Sequence, residues 1–576
     1  MGIDGNVRTL VVATLLAVLV LGCTQSGSTQ QARPQDPLAP TTTPAPTVER
    51  QFEPPSPKTS TDHPDNWFQS ACSLPAEQFR RIARGHRPGI SPELYFVPRP
   101  PNFLGGFQTT THSGPWPYLQ RVPLVLYGPG FFSRKGAISR PGTTLADVAP
   151  TLAEITHSEL SDKSVGSPIT EALSPTQRVP RLIVVLVWDG GGRNVLETWP
   201  DSWPNLNRMM RRGTSITDAT VGSSPSVTPA IHATIGTGTF PRRHGIVDMH
   251  VRDGNDVPSS FEDGSPKFLR VPTFADLYDR DHGNRPKVGM FAYHRFHAGM
   301  MGHGAQLPGG DRDIQIIAPA SASIRFVAEE TYYRLPEYLY EVGGFAEIQR
   351  EVDSRDGKID GRWRGRDLDD RHDVRHSPVW VQFQTKILKT VVEREGFGAD
   401  PIADLLFVNY KQIDDAGHDW NMLNPEVKDV VAQADEDLGN LVRFLNRQVG
   451  KRKWALMMTA DHGQAPDPRA AGAWPIGISI LVDRIARHFG AEKEEIIDET
   501  RPTGLWLDQR GLMSEGITTG DIADFILDYR IEDDTNDDKT IPPEYEARRR
   551  EPLFSAVFPS SQIGRVSTCI QRQRGG

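Results

Sequence analysis

The sequence has only three cysteines among its 576 residues, which allows at most one intramolecular disulfide. It also has no excess of positive charge: the formal net charge is −9, which gives no electrostatic reason to bind a nucleic-acid polymer. The apolar run near the N-terminus, Leu10 to Leu21, is too short to cross a bilayer. With 37% hydrophobic and 24% charged residues, the remainder has the composition of a soluble globular protein long enough to bury a large core.

The N-terminal segment has the order of an export signal. Arg8 precedes the apolar run Leu10 to Leu21, which has the length of a signal-peptide core. Val20-Leu21-Gly22-Cys23 resembles a bacterial lipobox, in which Cys23 becomes the acylated first residue; the alternative is cleavage nearby with Cys23 incidental. Thr24 to Asp65 is rich in Pro, Thr, Ser and Gln and predicts a disordered tether. We therefore expect an exported protein of the cell envelope, anchored to the membrane through a lipid on Cys23.

Two cysteines remain after Cys23, and they lie at opposite ends of the expected folded part. In an oxidising compartment two leftover cysteines usually pair, so Cys72 and Cys569 are predicted to form a disulfide.

Three long apolar runs predict the centre of the fold. They are Leu182 to Trp188, Leu405 to Tyr410 and Trp454 to Met458, and continuous runs of this kind are typical of parallel strands covered on both faces. Val427 to Leu445 has helical spacing between the last two runs, which makes a strand–helix–strand crossover. The predicted class is α/β, with a largely parallel central sheet flanked by helices and a small appended lobe from about Arg501.

An acidic and arginine-rich stretch, Asp353 to His376, interrupts this pattern. Its Asp356-Gly357 resembles part of a calcium loop, but Val352 occupies the first ligand position, so the required acidic spacing fails. We predict a solvated loop.

Potential metal ligands follow each of the three strong strands. Asp189 ends the first, Asp414 and His418 follow the second four residues apart, and Asp461-His462 ends the third. The carboxyl ends of parallel strands share one edge of a sheet. A single Asp after a strand is most often a cap, but three such endings beside a hydroxyl-bearing stretch predict a dinuclear metal site.

These motifs resemble those of the alkaline phosphatase superfamily, and the stretch from Thr228 to Ile246 is most similar to its type I phosphodiesterase/nucleotide pyrophosphatase branch. The resemblance implies that Thr228 is the nucleophile. It also implies two zinc ions, although other divalent transition metals are possible. The first set of ligands that it implies is Asp189, Asp461, His462 and the Thr228 oxygen; the second is Asp414, His418 and a further histidine.

The further histidine is expected from an unusual place. The superfamily takes it from a Thr-His-Gly type motif near the C-terminus, followed by a Val-Pro-Leu strand ending at Gly. Here Thr111-His112-Ser113-Gly114 and Val122 to Gly128 match that pattern near the N-terminus. We therefore predict a circular permutation in which His112 completes the second site; the alternative is a loop histidine and a metal with only two protein ligands.

The permutation gives the expected domain limits. They are 1–22 for the signal peptide, 23–66 for the tether, 67–175 for the permuted segment of the catalytic domain, 176–490 for its main part, and 491–576 for the small lobe and C-terminal tail.

The resemblance implies an exported zinc-dependent phosphoester hydrolase acting on a small phosphoester substrate, a diester or pyrophosphate. One family residue is absent: the Asn that binds a phosphoryl oxygen is replaced by Met249, and a thioether cannot donate a hydrogen bond. Possible replacements are His250, Arg193 and Arg242; His232 and His244 match structural positions. The alternatives are a phosphomonoesterase, a phosphonate or sulfate ester hydrolase, and a non-catalytic envelope binding protein. The sequence does not fix the exact substrate or the oligomeric state.

Overall fold

A computed structural model describes residues 66–105, 110–175, 178–318 and 326–575. The predicted signal peptide, the acylation site Cys23 and all but the last residue of the predicted tether lie outside the described residues. Within the described ranges, no helix combines the length and the apolarity that a membrane crossing requires. The described residues form one compact unit.

The strands are short, and those at the centre of the main sheet are fully buried. In chain order they are β1 (Leu94–Pro98), β2 (Phe103–Gly105), β3 (Leu124–Tyr127), β4 (Gly136–Ile138), β5 (Leu182–Trp188), β6 (Thr214–Ile216), β7 (Val288–Ala292), β8 (Asp313–Ile317), β9 (Tyr333–Arg334), β10 (Arg362–Trp363), β11 (Arg366–Asp367), β12 (Asp404–Tyr410), β13 (Trp454–Thr459), β14 (Pro475–Gly477), β15 (Ile497–Arg501), β16 (Gly504–Leu507) and β17 (Phe554–Pro559).

The α-helices connect and cover these strands. They are α1 (Asn66–Cys72), α2 (Ala76–Gly85), α3 (Pro117–Gln120), α4 (Val148–Thr156), α5 (Arg193–Thr198), α6 (Pro204–Arg212), α7 (Thr228–Thr237), α8 (Pro241–His244), α9 (Phe274–Asp281), α10 (Phe345–Asp353), α11 (Arg371–His376), α12 (Pro378–Glu395), α13 (Gln412–Trp420), α14 (Pro425–Leu445), α15 (Pro468–Ala471), α16 (Ile478–Phe489), α17 (Lys493–Ile496), α18 (Gln509–Glu515), α19 (Thr519–Leu527) and α20 (Ile563–Gly575).

The central sheet has nine strands in the order β4-β6-β3-β13-β5-β12-β7-β8-β9. All neighbours are parallel except at β3, which runs antiparallel to both β13 and β6. The prediction of an α/β fold with a largely parallel sheet is confirmed, and β3 makes the sheet mixed. In β5, β12 and β13 the three predicted apolar runs lie side by side, with Leu182 opposite both Asp404 and Trp454.

Alternation along β5 divides the core into two layers, because successive side chains of a strand point to opposite faces. Leu182, Val184, Leu186 and Trp188 pack with α6, α12 and α14, whereas Ile183, Val185 and Val187 pack with α4, α7 and α9. The run is apolar throughout because both faces are covered. Its carboxyl end, and those of its two parallel neighbours, are therefore the part of the sheet free to carry polar chemistry.

A second, antiparallel sheet has the order β15-β16-β1-β17 and brings the two ends of the folded chain together. Leu94 of β1 pairs with Leu505 on one side and with Pro559 on the other. Beside this sheet Cys72 is joined to Cys569, 497 positions later, with 5.7 Å between their Cα atoms. The predicted disulfide is confirmed, and β1 lies in the small lobe with the C-terminal strands.

The expectation of a solvated loop over Asp353 to His376 is only half right: most of the stretch is exposed, but it forms regular secondary structure. After α10 the chain forms the hairpin β10–β11 and then α11. The Asp353 carboxylate accepts backbone N–H groups from 360, 361 and 362, and Trp363 and Val374 are buried. Arg364 and Arg366 form ion pairs with carboxylates of α14, so a stretch of mixed charge packs against a helix. The sequence pattern gave no indication of those partners.

One buried acid between α12 and α14 makes the stability depend on pH. Burial raises the pKa of Asp437 to about 6, although Asn440 and Thr385 donate hydrogen bonds to its carboxylate. Because this pKa exceeds that of Asp in the unfolded chain, the stability that the protonated carboxyl contributes is fully present below about pH 4. It is lost as the pH rises through about 6. Asp437→Asn, which cannot ionise, is expected to stabilise the fold at pH 8 by about 2–3 kcal/mol and to have little effect at pH 4.

Thermal unfolding at the two pH values measures this difference. Glu347→Gln removes an exposed acid of α10 and serves as the control, since it should leave the melting temperature unchanged at both pH values. Equal effects of Asp437→Asn at pH 4 and pH 8 would contradict the assignment.

Candidate active site

Thr228 is the first residue of α7 and lies close to the carboxyl ends of β5 and β12. Thr228 is only 4% exposed. Pro229 follows it in the first turn of the helix, where a backbone N–H would have no helical partner, so the missing N–H of proline costs no hydrogen bond. The N-terminal end of a helix favours negative charge. A hydroxyl placed there is better able to carry the charge of an alkoxide than one in the middle of a helix.

A first group of donors comes from the loops after β5 and β13. His462 Nε2 lies 3.3 Å from Asp461 Oδ2 and 3.6 Å from Asp189 Oδ1, and all three residues are fully buried. The other Asp461 oxygen, Oδ1, accepts the N–H of Gly190 at 3.0 Å. One oxygen of Asp461 is thus fixed to the backbone, and the other faces His462.

A second group of donors comes from α13 and from the loop before α3. His418 Nε2 lies 3.3 Å from Asp414 Oδ2, and His112 Nε2 lies 3.8 Å from Asp414 Oδ1. The ligand atoms of these three residues all lie within 4.8 Å of one another. The His112 ring also stacks on His462 at 3.4 Å between centroids, so the two groups are adjacent. The structure brings together every metal-ligand residue that the sequence predicted.

Hydrogen bonding fixes which nitrogen each histidine turns toward the carboxylates. The Nδ1 atoms of His112, His418 and His462 face backbone carbonyl oxygens at 2.8, 2.7 and 3.0 Å. A carbonyl can only accept, so each Nδ1 carries the proton and donates it. Burial lowers the pKa of His112 and of His462, which favours neutral rings with a lone pair on Nε2. Metal-bound histidines show this same arrangement.

Several atoms that point into the space between the groups have no partner. Asp414 Oδ1, Asp461 Oδ2 and His462 Nε2 are buried and form no hydrogen bond with any part of the chain that the structure describes. Unpaired buried carboxylate oxygens are costly. Mixed His and Asp ligation is the donor set that zinc and similar ions prefer, so the residues present fit two metal ions.

Lys411 is a charged member of the site that sequence reasoning missed. Its Nζ lies 3.0 Å from Asp189 Oδ1 and 3.2 Å from Thr228 Oγ1, and it also contacts Asp414 Oδ2. Burial alone would lower the pKa of Lys411, but the surrounding carboxylates, with Asp189 and Asp414 the strongest, outweigh burial and raise the pKa well above its ordinary value. The available signal was its place directly after β12, but lysine is not a metal-ligand type.

A further layer of polar residues orients Asp189, and two of its members were also missed. Asn409 Nδ2 donates to Asp189 Oδ2 at 2.9 Å, and His297 Nε2 lies 3.0 Å from the same oxygen. With Oδ2 held in this way, Oδ1 is the oxygen that faces Lys411 and His462. His232, predicted as structural, uses Nδ1 to donate to the Thr228 carbonyl at 2.7 Å. His297 lies in a 3-10 turn outside every motif that the sequence offered.

The residues suggested as replacements for the missing Asn have other partners. Arg193 donates to the Ile216 carbonyl, and His250 lies against Arg501. Met249 is half-buried, and Arg242 is exposed. His244, the second structural histidine, contacts Thr234 Oγ1 through Nε2 at 3.1 Å.

A buried hydroxyl at a helix start, beside two His/Asp groups at the carboxyl edge of a mixed sheet, is the arrangement of the alkaline phosphatase superfamily of hydrolases. The chain belongs to the type I phosphodiesterase/nucleotide pyrophosphatase family, whose sequence model matches residues 183–476. It is therefore a phosphoester hydrolase by family, as the sequence predicted.

Two bacterial relatives are similar over large parts of the chain. The alkaline phosphatase PafA of Elizabethkingia meningoseptica is 21% identical over 60% of this chain and 72% of its own length. The alkaline phosphatase PhoV of Synechococcus elongatus is 23% identical over 50% of this chain and 60% of its own length. The match to a crystal structure of wild-type PafA extends over 66% of this chain and 84% of the PafA chain, with 18% identity and a TM-score of 0.49.

Proposed function

We propose that the protein is an exported, zinc-dependent phosphoester hydrolase that cleaves phosphodiesters or pyrophosphates with Thr228 as the nucleophile. The observation that supports this most directly is the position of Thr228 Oγ1 beside Lys411 Nζ, which also contacts Asp189 of one donor group and Asp414 of the other. Asp189, Asp461, His462 and Thr228 would hold one ion, and Asp414, His418 and His112 the other.

Each residue has a defined part in the reaction. When bound, two divalent ions would supply positive charge that favours the ionised hydroxyl and offsets the charge of the phosphoryl group. Thr228 Oγ gives its proton to water and attacks phosphorus in line. The bond from phosphorus to the leaving-group oxygen breaks, and that oxygen takes the electron pair and then a proton from water. Water then cleaves the phosphothreonine and regenerates the hydroxyl. Asn409 and His297 hold Asp189 in place, and the α7 N-terminus stabilises charge on Oγ.

The charge of the site supports a singly charged substrate. Two divalent ions contribute +4, three Asp carboxylates −3 and the Thr228 alkoxide −1, which would leave the site neutral. Lys411, whose Nζ lies beside Asp189 and Thr228, would add +1 when protonated. A phosphodiester carries one negative charge at neutral pH and would balance the site.

We also propose the circular permutation and the lipid anchor. The family match begins at residue 183, so His112 precedes it, yet His112 lies against Asp414 and His462 from within the match. The strand that follows His112, β3, pairs directly with β13, whose loop carries Asp461. Both observations support a segment moved from the end of the chain to its start. The anchor rests on the lipobox-like sequence at Cys23.

A phosphomonoesterase is the second candidate, since the relatives PafA and PhoV are both named alkaline phosphatases and Met249 replaces the family Asn. Turnover of a nitrophenyl phosphate monoester and of bis-nitrophenyl phosphate, each with zinc-loaded protein, tests the two. We expect kcat/KM for the diester to exceed that for the monoester. The reverse order would favour the monoesterase. If protein with two zinc ions turned over neither substrate, the phosphonate or sulfate ester hydrolase and the binding protein would remain.

A further inference from the structure

A second set of histidines and aspartates lies on α11 and α13, outside the active site. His372 and His376 are four residues apart on α11, and Asp415 and Asp419 are four residues apart on α13. Residues at this spacing share one face of a helix. Two such pairs on helices that pack together bring four possible ligands to one place.

The distances in this cluster are short. His372 Nε2 lies 3.2 Å and His376 Nδ1 2.6 Å from Asp419 Oδ2, and the two imidazole centroids are 4.4 Å apart. His376 Nε2 lies 3.5 Å from Asp415 Oδ2. The donor atoms of His372, His376 and Asp419 therefore converge within 4.8 Å.

We propose that His372, His376 and Asp419 bind a third divalent transition metal ion, of the zinc class. Two imidazoles and one carboxylate form the donor set that such ions prefer, and three protein ligands leave a coordination position for water. The half-exposed side chains of this cluster give that water access: His372 is 60% exposed and Asp419 23%.

Asp415 has a separate part in this site. If His376 binds through Nδ1, its Nε2–H faces Asp415 Oδ2, which gives the carboxylate–histidine–metal order that orients ligand rings in metal sites. Asp415 is thus the partner that orients His376, and Asp419 is the ligand. Ion pairing between protonated histidines and Asp419 would place the same atoms together without a metal, so the test must distinguish the two.

A metal ion bound to this cluster would also stabilise the position of active-site residues. Asp415 and Asp419 each follow, by one residue, Asp414 and His418, which lie on the neighbouring face of the same helix. An ion that ties this face of α13 to α11 would limit rotation of the helix and so fix the direction of the catalytic pair. The metal-binding proposal itself uses none of the residues assigned to catalysis.

Metal content of the full, tag-free chain at equilibrium with buffered free zinc tests the proposal. Wild-type protein is expected to hold one more zinc per chain than His372→Ala, and the affinity of that extra ion should fall at least about tenfold in the variant. Asp415→Asn is expected to weaken the same ion by about tenfold without removing it. His488→Ala, which removes an exposed histidine of α16, is the control and should leave the zinc content unchanged.

Equal zinc content in wild type and His372→Ala would overturn the proposal, and so would an equal loss in His488→Ala. Cobalt substitution adds a second readout, because the visible absorption of the third ion should disappear in His372→Ala while that of the other two persists. A wild-type chain whose only zinc is lost in His372→Ala would contradict the proposed function and leave this site standing.

Discussion

Replacing Thr228 by alanine is expected to lower phosphoester turnover by on the order of a thousandfold or more, the scale seen when an enzyme loses its nucleophile. The variant lacks the oxygen that attacks phosphorus, whereas the Asp and His groups around it are unchanged. Metal content should therefore stay close to that of wild type. Steady-state kcat and metal analysis on the same preparation measure the two effects.

Two further variants separate the loss of the oxygen from a change in packing. Thr228→Ser keeps the oxygen and should retain partial activity. Thr237→Ala removes a buried threonine from the other end of the same helix, where Oγ1 donates to the Ala233 carbonyl and accepts the Thr239 N–H, and should leave turnover largely intact. Near-wild-type turnover in Thr228→Ala would refute the nucleophile assignment.

His112→Ala is expected to empty one metal position selectively and to reduce turnover with it. His112 supplies one of three proposed ligands of the second ion, and loss even of a ligand's outer partner costs about 10–100-fold in affinity. The group of Asp189, Asp461 and His462 takes no ligand from this side chain, although His112 stacks on His462, and should remain occupied. Zinc titration should show one tight and one weak site in place of two tight ones.

Ser113→Ala, a buried neighbour in the same loop, is the control for His112→Ala and should bind both ions. If His112→Ala kept two tightly bound ions, the histidine would be a loop residue and the permutation would lose its main support. Added zinc at high concentration should restore part of the activity of His112→Ala.

The layout of the sheet was predictable because its strands are covered on both faces and so consist of unbroken apolar runs. Asp189, Asp414 and Asp461 follow these runs, and their positions predicted the edge of the sheet at which the site lies. His112 was found only through its motif, since nothing in its position along the chain relates it to Asp414. The antiparallel direction of β3 depends on its pairing with β13, and no local sequence pattern indicates that pairing.

Residues whose part depends on tertiary contacts were not predictable. Lys411 and Asn409 belong to the site because β12 lies beside β5, and His297 because a turn after β7 reaches Asp189. The stretch around Trp363 had the composition of a loop, yet the carboxylates of α14 pair with its arginines and hold it as a hairpin. In each case the partner is distant in sequence.

The bond between Cys72 and Cys569 turns nearly the whole folded chain into a covalent ring. One peptide cut in an exposed loop between these residues opens the ring but releases no fragment, because the two pieces remain linked through sulfur. Both donor groups and Thr228 lie inside the ring. A protein built in this way can be cut once by a protease and still keep all these residues in one molecule.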